Sequence, residues 1–297
     1  MNKLNNFIEA NTIIKPALII LQKSNNKAPN LDCRILLGHA MGLNRSVYPH
    51  EQIKITQKEI NKFKTLIEER KKGKPVSRII NKKQFWKMNF TLNEETLDPR
   101  PDSEVIIESI LKHFKDKLGN LRILDLGSGS GCLGLSILNE YKNSKGILID
   151  ASLDSLEIAK INAVDYNLFH RSKFINLNWF KKEWTKELLQ NIENKKFDII
   201  ISNPPYIPSN DINNLQIEVK RFEPRLALDG GKDGMDSYKS ILPNIIDILK
   251  PEGKIFLEIG HNQQNLINKI ANKCELIFKD SNKDLSGIIR VLVYGLK

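Results

Sequence analysis

The sequence predicts an α/β protein, with a small helical bundle in front of an open, mostly parallel sheet. Three observations predict this class. Helix caps and helix stops dominate residues 1 to about 85. From about residue 120, short apolar runs alternate with helical stretches, which is typical of a parallel sheet covered on both faces. The last two strand-like runs are joined only by a polar loop, which predicts an antiparallel hairpin at the sheet edge.

The helical part is predicted to span residues 1–82. Asp32 is a predicted N-cap of one helix, which ends before Gly42. A second helix opens at the capping box Thr56–Glu59 and ends before Gly73. No catalytic motif stands in this part, so we interpret it as a small helical bundle without chemistry of its own that serves as a lid or a substrate-docking surface.

Residues 83–104 are predicted to form a short β-hairpin around Phe85 and Trp86, followed by a connector that Pro99 and Pro101 stiffen. Residues 105–297 are predicted to form the sheet domain. Its strand-like runs are Leu121–Leu126, Ile147–Ile149, Phe174–Ile175, Phe197–Ile201 and Lys254–Ile259, and the edge hairpin is Glu275–Phe278 with Gly287–Val293. Helical stretches between them include Leu153–Asn167 and Ser237–Lys250.

Composition predicts a cytoplasmic globular protein of about two domains. At roughly 150 residues per domain, the 297 residues suggest about two domains. The chain is 40% apolar and 27% charged, which fits a globular protein with a packed core. No apolar run approaches the ~18 residues of a membrane span, and no signal peptide is recognisable. Three widely separated cysteines argue against a disulfide framework and against a cysteine-based metal site.

The net charge of +11 has two interpretations. It could steer the protein toward an acidic partner such as RNA, DNA or a ribonucleoprotein. A bias toward Lys, Asn and Ile, spread over all faces of the molecule, explains the same charge. The sequence leaves both open.

A glycine-rich loop follows the first strand of the sheet domain. Gly127, Gly129 and Gly131 alternate with Ser128 and Ser130 before a predicted helix. Glycine is needed where the backbone turns sharply and lets a ligand approach closely. The spacing is G-x-G-x-G and not that of dinucleotide sites, and such a loop alone is weak evidence.

Two acidic residues make this loop more specific. Asp150 ends the next apolar run, 19 residues after Gly131, where a carboxylate can bind both hydroxyls of a ribose. Asp125 ends the first strand, where it could hold a cationic amino group. Together the two acids suit a ligand that has an amine and a ribose but no phosphate, and we interpret this ligand as S-adenosylmethionine. The alternative is an ordinary strand-to-helix turn with surface acids.

The sequence Asn203-Pro204-Pro205-Tyr206 follows the fourth predicted parallel strand. The asparagine offers a side-chain carbonyl, the prolines have no N–H and stiffen the backbone, and the tyrosine supplies a flat face. This combination suits a planar –NH₂ group, either an amide or the exocyclic amine of a base. The alternative is a proline-rich turn after a strand.

Together these motifs resemble those of class I S-adenosylmethionine-dependent methyltransferases that act on a planar nitrogen. More narrowly, the chain resembles the HemK/PrmC family of protein-(glutamine-N5) methyltransferases of peptide chain release factors. The similar segments run through nearly the whole chain and include Phe85-Trp86, Pro99–Glu104, Asn178–Phe180, Arg221–Pro224 and Gly230–Gly234. The resemblance implies a Rossmann-like class I sheet with an antiparallel C-terminal edge hairpin, and a helical N-terminal domain that docks substrate.

The resemblance also implies a reaction. S-adenosylmethionine would donate a methyl group to the glutamine of the Gly-Gly-Gln motif in class 1 release factors, leaving S-adenosylhomocysteine. We expect a cytoplasmic monomer with no stable nucleic-acid complex and no bound metal. With Asp125 from the argument above, cofactor contacts are expected at Asp125, Gly127, Ser128, Gly129, Ser130, Gly131, Asp150, Trp179 and Asn203. The substrate glutamine is expected at Asn203, Pro204, Pro205 and Tyr206.

Within that set, we expect Asn203, Pro204 and Tyr206 to carry the reaction. The Asn203 side-chain oxygen and the Pro204 backbone carbonyl would accept the two amide hydrogens, and Tyr206 would pack against the amide plane. Three other functions stay open: a glutamine methyltransferase of a ribosomal protein, an adenine-N6 methyltransferase of nucleic acid, and a cofactor-binding protein without catalysis.

Overall fold

The computed structural model describes residues 7–24, 26–192 and 195–297. The chain forms two compact units. One ends at Lys82 and also includes Gln216–Phe222, and the other contains Lys83–Leu215 and Glu223–Lys297. The sequence assigns residues 216–222 to the sheet domain, whereas the structure packs them with the helical unit. No helix in the described part of the chain has the length and apolar character to cross a membrane.

The strands are β1 Ile8–Glu9, β2 Gln52–Ile53, β3 Lys82–Phe85, β4 Met88–Thr91, β5 Arg122–Leu126, β6 Lys145–Asp150, β7 Ser172–Asn176, β8 Phe197–Ser202, β9 Leu249–Glu258, β10 Leu276–Lys283 and β11 Ile289–Leu296. The α-helices are α1 Asn11–Lys23, α2 Pro29–Ala40, α3 Gln57–Lys71, α4 Val76–Ile80, α5 Glu104–His113, α6 Cys132–Glu140, α7 Leu153–Asp165, α8 Trp184–Asn191, α9 Ile217–Phe222, α10 Asp236–Ile241, α11 Ile245–Ile248 and α12 Gln264–Lys273.

The helical unit packs α1, α2 and α3 around an apolar core. The capping box is confirmed, because the Thr56 side chain accepts the Glu59 N–H and the Glu59 carboxylate accepts the Thr56 N–H. Gly42 follows α2 with φ +73°, as its helix-stop role requires. The N-cap prediction for Asp32 is wrong. The helix begins earlier, at Pro29, which suits the first helical position, so Asp32 lies inside its first turn.

Asp32 instead joins a buried ion pair. Its Oδ2 accepts from Arg70 Nε at 2.7 Å, and Arg70 Nη1 donates to Glu218 of α9 at 2.7 Å. The Arg70 side chain is only 7% exposed. Removing one partner of such a pair leaves a buried charge without compensation, which costs more than the pair itself contributes. The Arg70 guanidinium therefore holds α2, α3 and α9 together within this unit.

Arg70→Ala should lower the free energy of unfolding by about 3 kcal/mol, because it strands the Asp32 carboxylate in the core. Arg45→Ala is the matched control in the same unit. Arg45 pairs with Glu51 at 2.7 Å, but its side chain is 57% exposed, so its loss should cost much less than the loss of Arg70. Urea denaturation followed by far-ultraviolet circular dichroism measures both. Equal losses in the two variants would contradict the assignment.

The second unit is built on a seven-stranded sheet with the order β10-β11-β9-β8-β5-β6-β7. The neighbours from β9 to β7 are parallel, and β11 runs antiparallel to both β9 and β10. The predicted fold class and its edge hairpin are confirmed. The chain leaves β5 toward β6 and β7, then crosses back to place β8 on the other side of β5. Ligands bind at such a switch point, beyond the carboxyl ends of the strands.

Two apolar layers cover the sheet. One contains side chains of α8, α10, α11 and α12, and the other contains side chains of α5, α6, α7 and the β3–β4 hairpin. The predicted helix Ser237–Lys250 is wrong in part. It is interrupted at Leu242–Asn244, which contains Pro243, and its last two residues already belong to β9. Proline lacks the N–H that a continuous helix would use, so the break falls at Pro243.

Candidate active site

A cleft opens at the switch point, where the carboxyl ends of β5, β6 and β8 meet. The Ser202 hydroxyl donates to the Leu126 carbonyl at 2.8 Å and ties the ends of β8 and β5 together. The cleft, together with the open solvent at its mouth, has a volume of about 1060 Å³. The sequence-predicted residues that line it are Gly127, Ser128, Gly129, Ser130, Asp150, Trp179, Asn203 and Pro205.

The glycine-rich loop wraps the floor of the cleft. The N–H groups of Gly127 and Ser128 both donate to the Ile149 carbonyl at 2.9 Å, so the loop is anchored on β6. All three glycines of the motif have positive φ. At Gly127, where φ is +74°, an added Cβ would lie 2.8 Å from the Trp179 ring. Only glycine fits both the backbone conformation and this contact.

Asp150 stands at the end of β6 and faces the cleft. Its Oδ2 accepts from Gly129 N–H at 2.8 Å, and its Oδ1 accepts from Ser152 N–H at 2.9 Å. The pKa of Asp150 is raised, because burial outweighs the opposing effect of these backbone hydrogen bonds. Each carboxylate oxygen can accept a second hydrogen bond, so Asp150 can still accept two neighbouring hydroxyl groups.

Other polar atoms around the loop lack partners. The hydroxyls of Ser128 and Ser130 and the Trp179 indole N–H are buried and find no hydrogen-bond partner among the described residues. Buried polar groups are normally paired. Unpaired donors and acceptors beside an anchored carboxylate therefore fit a polar ligand such as the nucleoside and amino-acid parts of S-adenosylmethionine.

The lining offers little positive side-chain charge for a phosphate group. Among the described residues that line the cleft, Arg100 carries the positive charge, and its Nη2 is paired with Glu223 Oε1 at 3.0 Å. The other Glu223 oxygen accepts from Asp98 N–H at 3.0 Å. This pairing fixes the proline-stiffened connector beside the cleft. The residues present fit a ligand without phosphate, as the sequence predicts.

Asp125, a predicted cofactor contact, is buried at the end of β5. It is 1% exposed and, among the described residues, does not line the cleft. Its Oδ2 accepts from Gly134 N–H at 2.8 Å, and its Oδ1 has no hydrogen-bond partner in the part of the chain that the structure describes. Burial raises the pKa of Asp125 to about 7. Its contact with an amino group stays a prediction.

The Asn-Pro-Pro-Tyr segment leaves β8 at the opposite side of the cleft. Asn203 is half-buried, and its Nδ2 donates to Ser103 Oγ at 3.2 Å. Pro204 is buried. The Tyr206 hydroxyl donates to Glu258 Oε1 at 3.4 Å. The backbone carbonyl of Tyr206 accepts from Gln263 Nε2 at 2.8 Å.

The structure thus brings only part of the predicted substrate set to the described lining. Asn203 and Pro205 line the cleft, whereas Pro204 and Tyr206 do not appear among its described lining residues. The predicted roles of Pro204 and Tyr206 therefore stay predictions.

Sequence reasoning missed several residues here. Phe180 lines the cleft with a side chain that is 53% exposed, next to the more buried Trp179. Its position beside Trp179 in the sequence was a usable signal for a second aromatic wall. Glu258 lies at the end of β9 and is 2% exposed. Nothing in its sequence context marked it, because a glutamate after an apolar run is usually a surface residue.

Comparison with known proteins gives consistent matches along the chain. Residues 13–80 match the PrmC N-terminal domain, and residues 117–289 match a methyltransferase domain. The release factor glutamine methyltransferase of Caulobacter vibrioides is 36% identical over 270 residues, which cover 91% of this chain and 90% of that protein. The corresponding protein of Bradyrhizobium diazoefficiens is 36% identical over 276 residues, 92% of this chain and 90% of that one. A solved structure of a release-factor-specific protein-(glutamine-N5) methyltransferase from Alicyclobacillus acidocaldarius covers 67% of this chain and 94% of that chain, with 23% identity and a TM-score of 0.42.

Proposed function

The chain belongs to the release factor glutamine methyltransferases, and we propose that it transfers a methyl group from S-adenosylmethionine to the side-chain amide nitrogen of the glutamine in the Gly-Gly-Gln motif of class 1 release factors. The observation that carries this proposal is the placement of Asn203 in one cleft with the glycine-rich loop and Asp150. An amide-binding group and a nucleoside-binding loop then share a single site.

The glycine-rich loop and Asp150 would hold the methyl donor. S-adenosylmethionine supplies a methyl group on a sulfonium, which is a good leaving group. The two free acceptor positions of Asp150 suit the ribose hydroxyls, and the exposed face of Phe180 suits the adenine.

The residues of the Asn-Pro-Pro-Tyr segment would position the acceptor. An amide nitrogen is a poor nucleophile because its lone pair is delocalised into the carbonyl, so orientation and electrostatics must supply the rate. The Asn203 side-chain oxygen and the Pro204 carbonyl accept the two amide hydrogens and stabilise positive charge on the nitrogen. The methylated nitrogen then loses one proton to water. No strong base is required.

The rival substrates are distinguished by one transfer assay. Wild-type protein with labelled S-adenosylmethionine should label a purified class 1 release factor, and should leave ribosomal proteins, RNA and DNA unlabelled. Label on a ribosomal protein alone would keep the chemistry and change the substrate. Label on nucleic acid alone would contradict the proposal and favour a nucleic-acid methyltransferase, the function that the net positive charge would suit. With this substrate we further propose a monomer that works in the cytoplasm and forms no stable complex with nucleic acid.

A further inference from the structure

The Asn-Pro-Pro-Tyr segment is held by side chains at both of its ends. At the first end, Asn203 Nδ2 donates to Ser103 Oγ at 3.2 Å. At the last end, the Tyr206 carbonyl accepts from Gln263 Nε2 at 2.8 Å. The two prolines between these ends have no N–H group, so they cannot be fixed by donating backbone hydrogen bonds. The geometry of this stiff segment therefore depends on the contacts at its ends.

Gln263 makes two hydrogen bonds through one side-chain amide. Its Oε1 accepts from Gly260 N–H at 2.9 Å, while its Nε2 donates to the Tyr206 carbonyl. A backbone N–H only donates and a backbone carbonyl only accepts, so these two partners allow a single orientation of the amide. Gln263 immediately precedes α12, whose Ile267 and Ala271 are buried in the apolar layer. The amide thus ties the end of the Asn-Pro-Pro-Tyr segment to a packed helix.

Two glycines leave the space that this amide occupies. A Cβ added at Gly234 would overlap the Tyr206 carbonyl oxygen and would lie 2.8 Å from Gln263 Nε2. A Cβ added at Gly260 would lie 2.9 Å from Gln263 Oε1. Real Cβ atoms do not come so close to other heavy atoms, and Gln263 is only 9% exposed. The Gln263 amide is therefore closely packed as well as hydrogen-bonded.

The peptide unit that follows Tyr206 is fixed at both of its polar atoms. Its carbonyl is held by Gln263, and its N–H, which belongs to Ile207, donates to the Leu228 carbonyl at 3.0 Å. Leu228 is followed by Asp229, which lines the cleft. Gln263 thus holds the segment at a point where it is also bound to a loop that forms the cleft.

We propose that Gln263 is a positioning residue for the amide acceptors: by holding the Tyr206 carbonyl, it fixes the two-proline span and so places the Pro204 carbonyl for the substrate amide. This inference rests on the proposed function, because it assigns a residue that sets the geometry of that same site. Gln263 does not appear among the described residues that line the cleft, so it acts through the segment that it holds.

Gln263→Met tests the proposal on the full-length protein with release factor as the substrate. Methionine has a similar length but cannot donate a hydrogen bond to the Tyr206 carbonyl. The kcat should fall by about 10- to 100-fold, because a misplacement of about 1 Å can cost about 100-fold in rate. The equilibrium Kd for S-adenosylmethionine should stay within about threefold of wild type, because the glycine-rich loop and Asp150 are unchanged.

Gln263→Glu tests the donated hydrogen bond by itself. An ionised carboxylate can accept from Gly260 N–H but cannot donate to Tyr206, whereas a protonated carboxyl can do both. Because burial raises the pKa of a carboxyl, the ratio of this variant's kcat to the wild-type kcat should rise as the pH falls from about 9 to about 6. The same ratio for Gln263→Met should stay constant. Glu258, which accepts from the Tyr206 hydroxyl at 3.4 Å, is present in all three proteins, which is why ratios are compared.

Gln264→Met is the matched control. Gln264 is the next residue, the first of α12, and it is half-buried. Its variant should keep the wild-type kcat and the wild-type Kd for S-adenosylmethionine. Thermal unfolding of every variant verifies that the protein is folded at the assay temperature and pH.

Three results in folded protein would overturn the inference. They are a Gln263→Met kcat within about threefold of wild type, a loss of S-adenosylmethionine affinity as large as the loss of kcat, and a Gln263→Glu ratio that does not rise with acid. If instead the wild-type protein transfers no methyl group to release factor, the proposed function itself fails. The two failures are therefore distinguishable.

Discussion

Asn203→Ala is expected to lower kcat for methyl transfer to release factor by about 10²- to 10³-fold, the loss typical of removing one preorganised group that stabilises transition-state charge. The reason is geometric. Asn203 lines the cleft with its NH₂ end held by Ser103 at 3.2 Å, so we expect its oxygen to be the acceptor for the substrate amide. Single-turnover methyl transfer at saturating methyl donor measures the effect.

Asn210→Ala is the matched control for this variant. Asn210 carries the same amide on the same loop but is exposed to solvent. Its loss should leave kcat near that of wild type. Near-normal turnover in Asn203→Ala would show that the amide is oriented by something else, and a large loss in Asn210→Ala would show that any change in this loop impairs the enzyme.

The second large effect is on binding of the methyl donor. Asp150→Ala should raise the Kd for S-adenosylmethionine by about 100-fold, because two hydrogen bonds from hydroxyls to a carboxylate are lost. The Gly129 and Ser152 N–H groups lose their acceptor as well, which loosens the loop. Isothermal titration calorimetry with S-adenosylmethionine or S-adenosylhomocysteine measures the affinity without turnover.

Asp154→Ala serves as the control for Asp150→Ala. Asp154 is the second residue of α7 and close to Asp150 in sequence, but it is exposed and does not line the described part of the cleft. Its Kd should match that of wild type. An Asp150→Ala variant that binds the donor within about threefold of wild type would remove Asp150 from the nucleoside site.

Most of the fold could be predicted from the sequence because the local signals agree with one another. The capping box at Thr56, the glycine stop at Gly42 and the alternation of apolar runs with helices each act within a few residues, so they can be recognised without tertiary information. Where a tertiary contact decides, the sequence misleads. Aspartate is a residue type that favours the N-cap position, but the carboxylate of Asp32 accepts a hydrogen bond from Arg70, 38 positions away.

The place of two cleft residues was also predictable. Asp150 and Asn203 stand at strand ends, where the carboxyl edge of a parallel sheet binds ligands, so their position in the cleft follows from their order along the chain, and their roles stay predictions. The buried residues Ser103 and Glu258 were not predictable, because their contacts with Asn203 and Tyr206 form only in the folded chain. Gln216–Phe222 packs with the helical unit, where Glu218 pairs with Arg70. These two residues are 148 positions apart, so no local sequence pattern predicts their contact.

The most direct test of the account is to locate the transferred methyl group. Release factor is incubated with the wild-type protein and isotope-labelled S-adenosylmethionine, digested, and analysed by tandem mass spectrometry. A release factor in which the glutamine of the Gly-Gly-Gln motif is replaced by alanine runs in parallel. The account predicts the label on the side-chain nitrogen of that glutamine and none on the substituted factor. Label on another residue, or equal label on both factors, would contradict it.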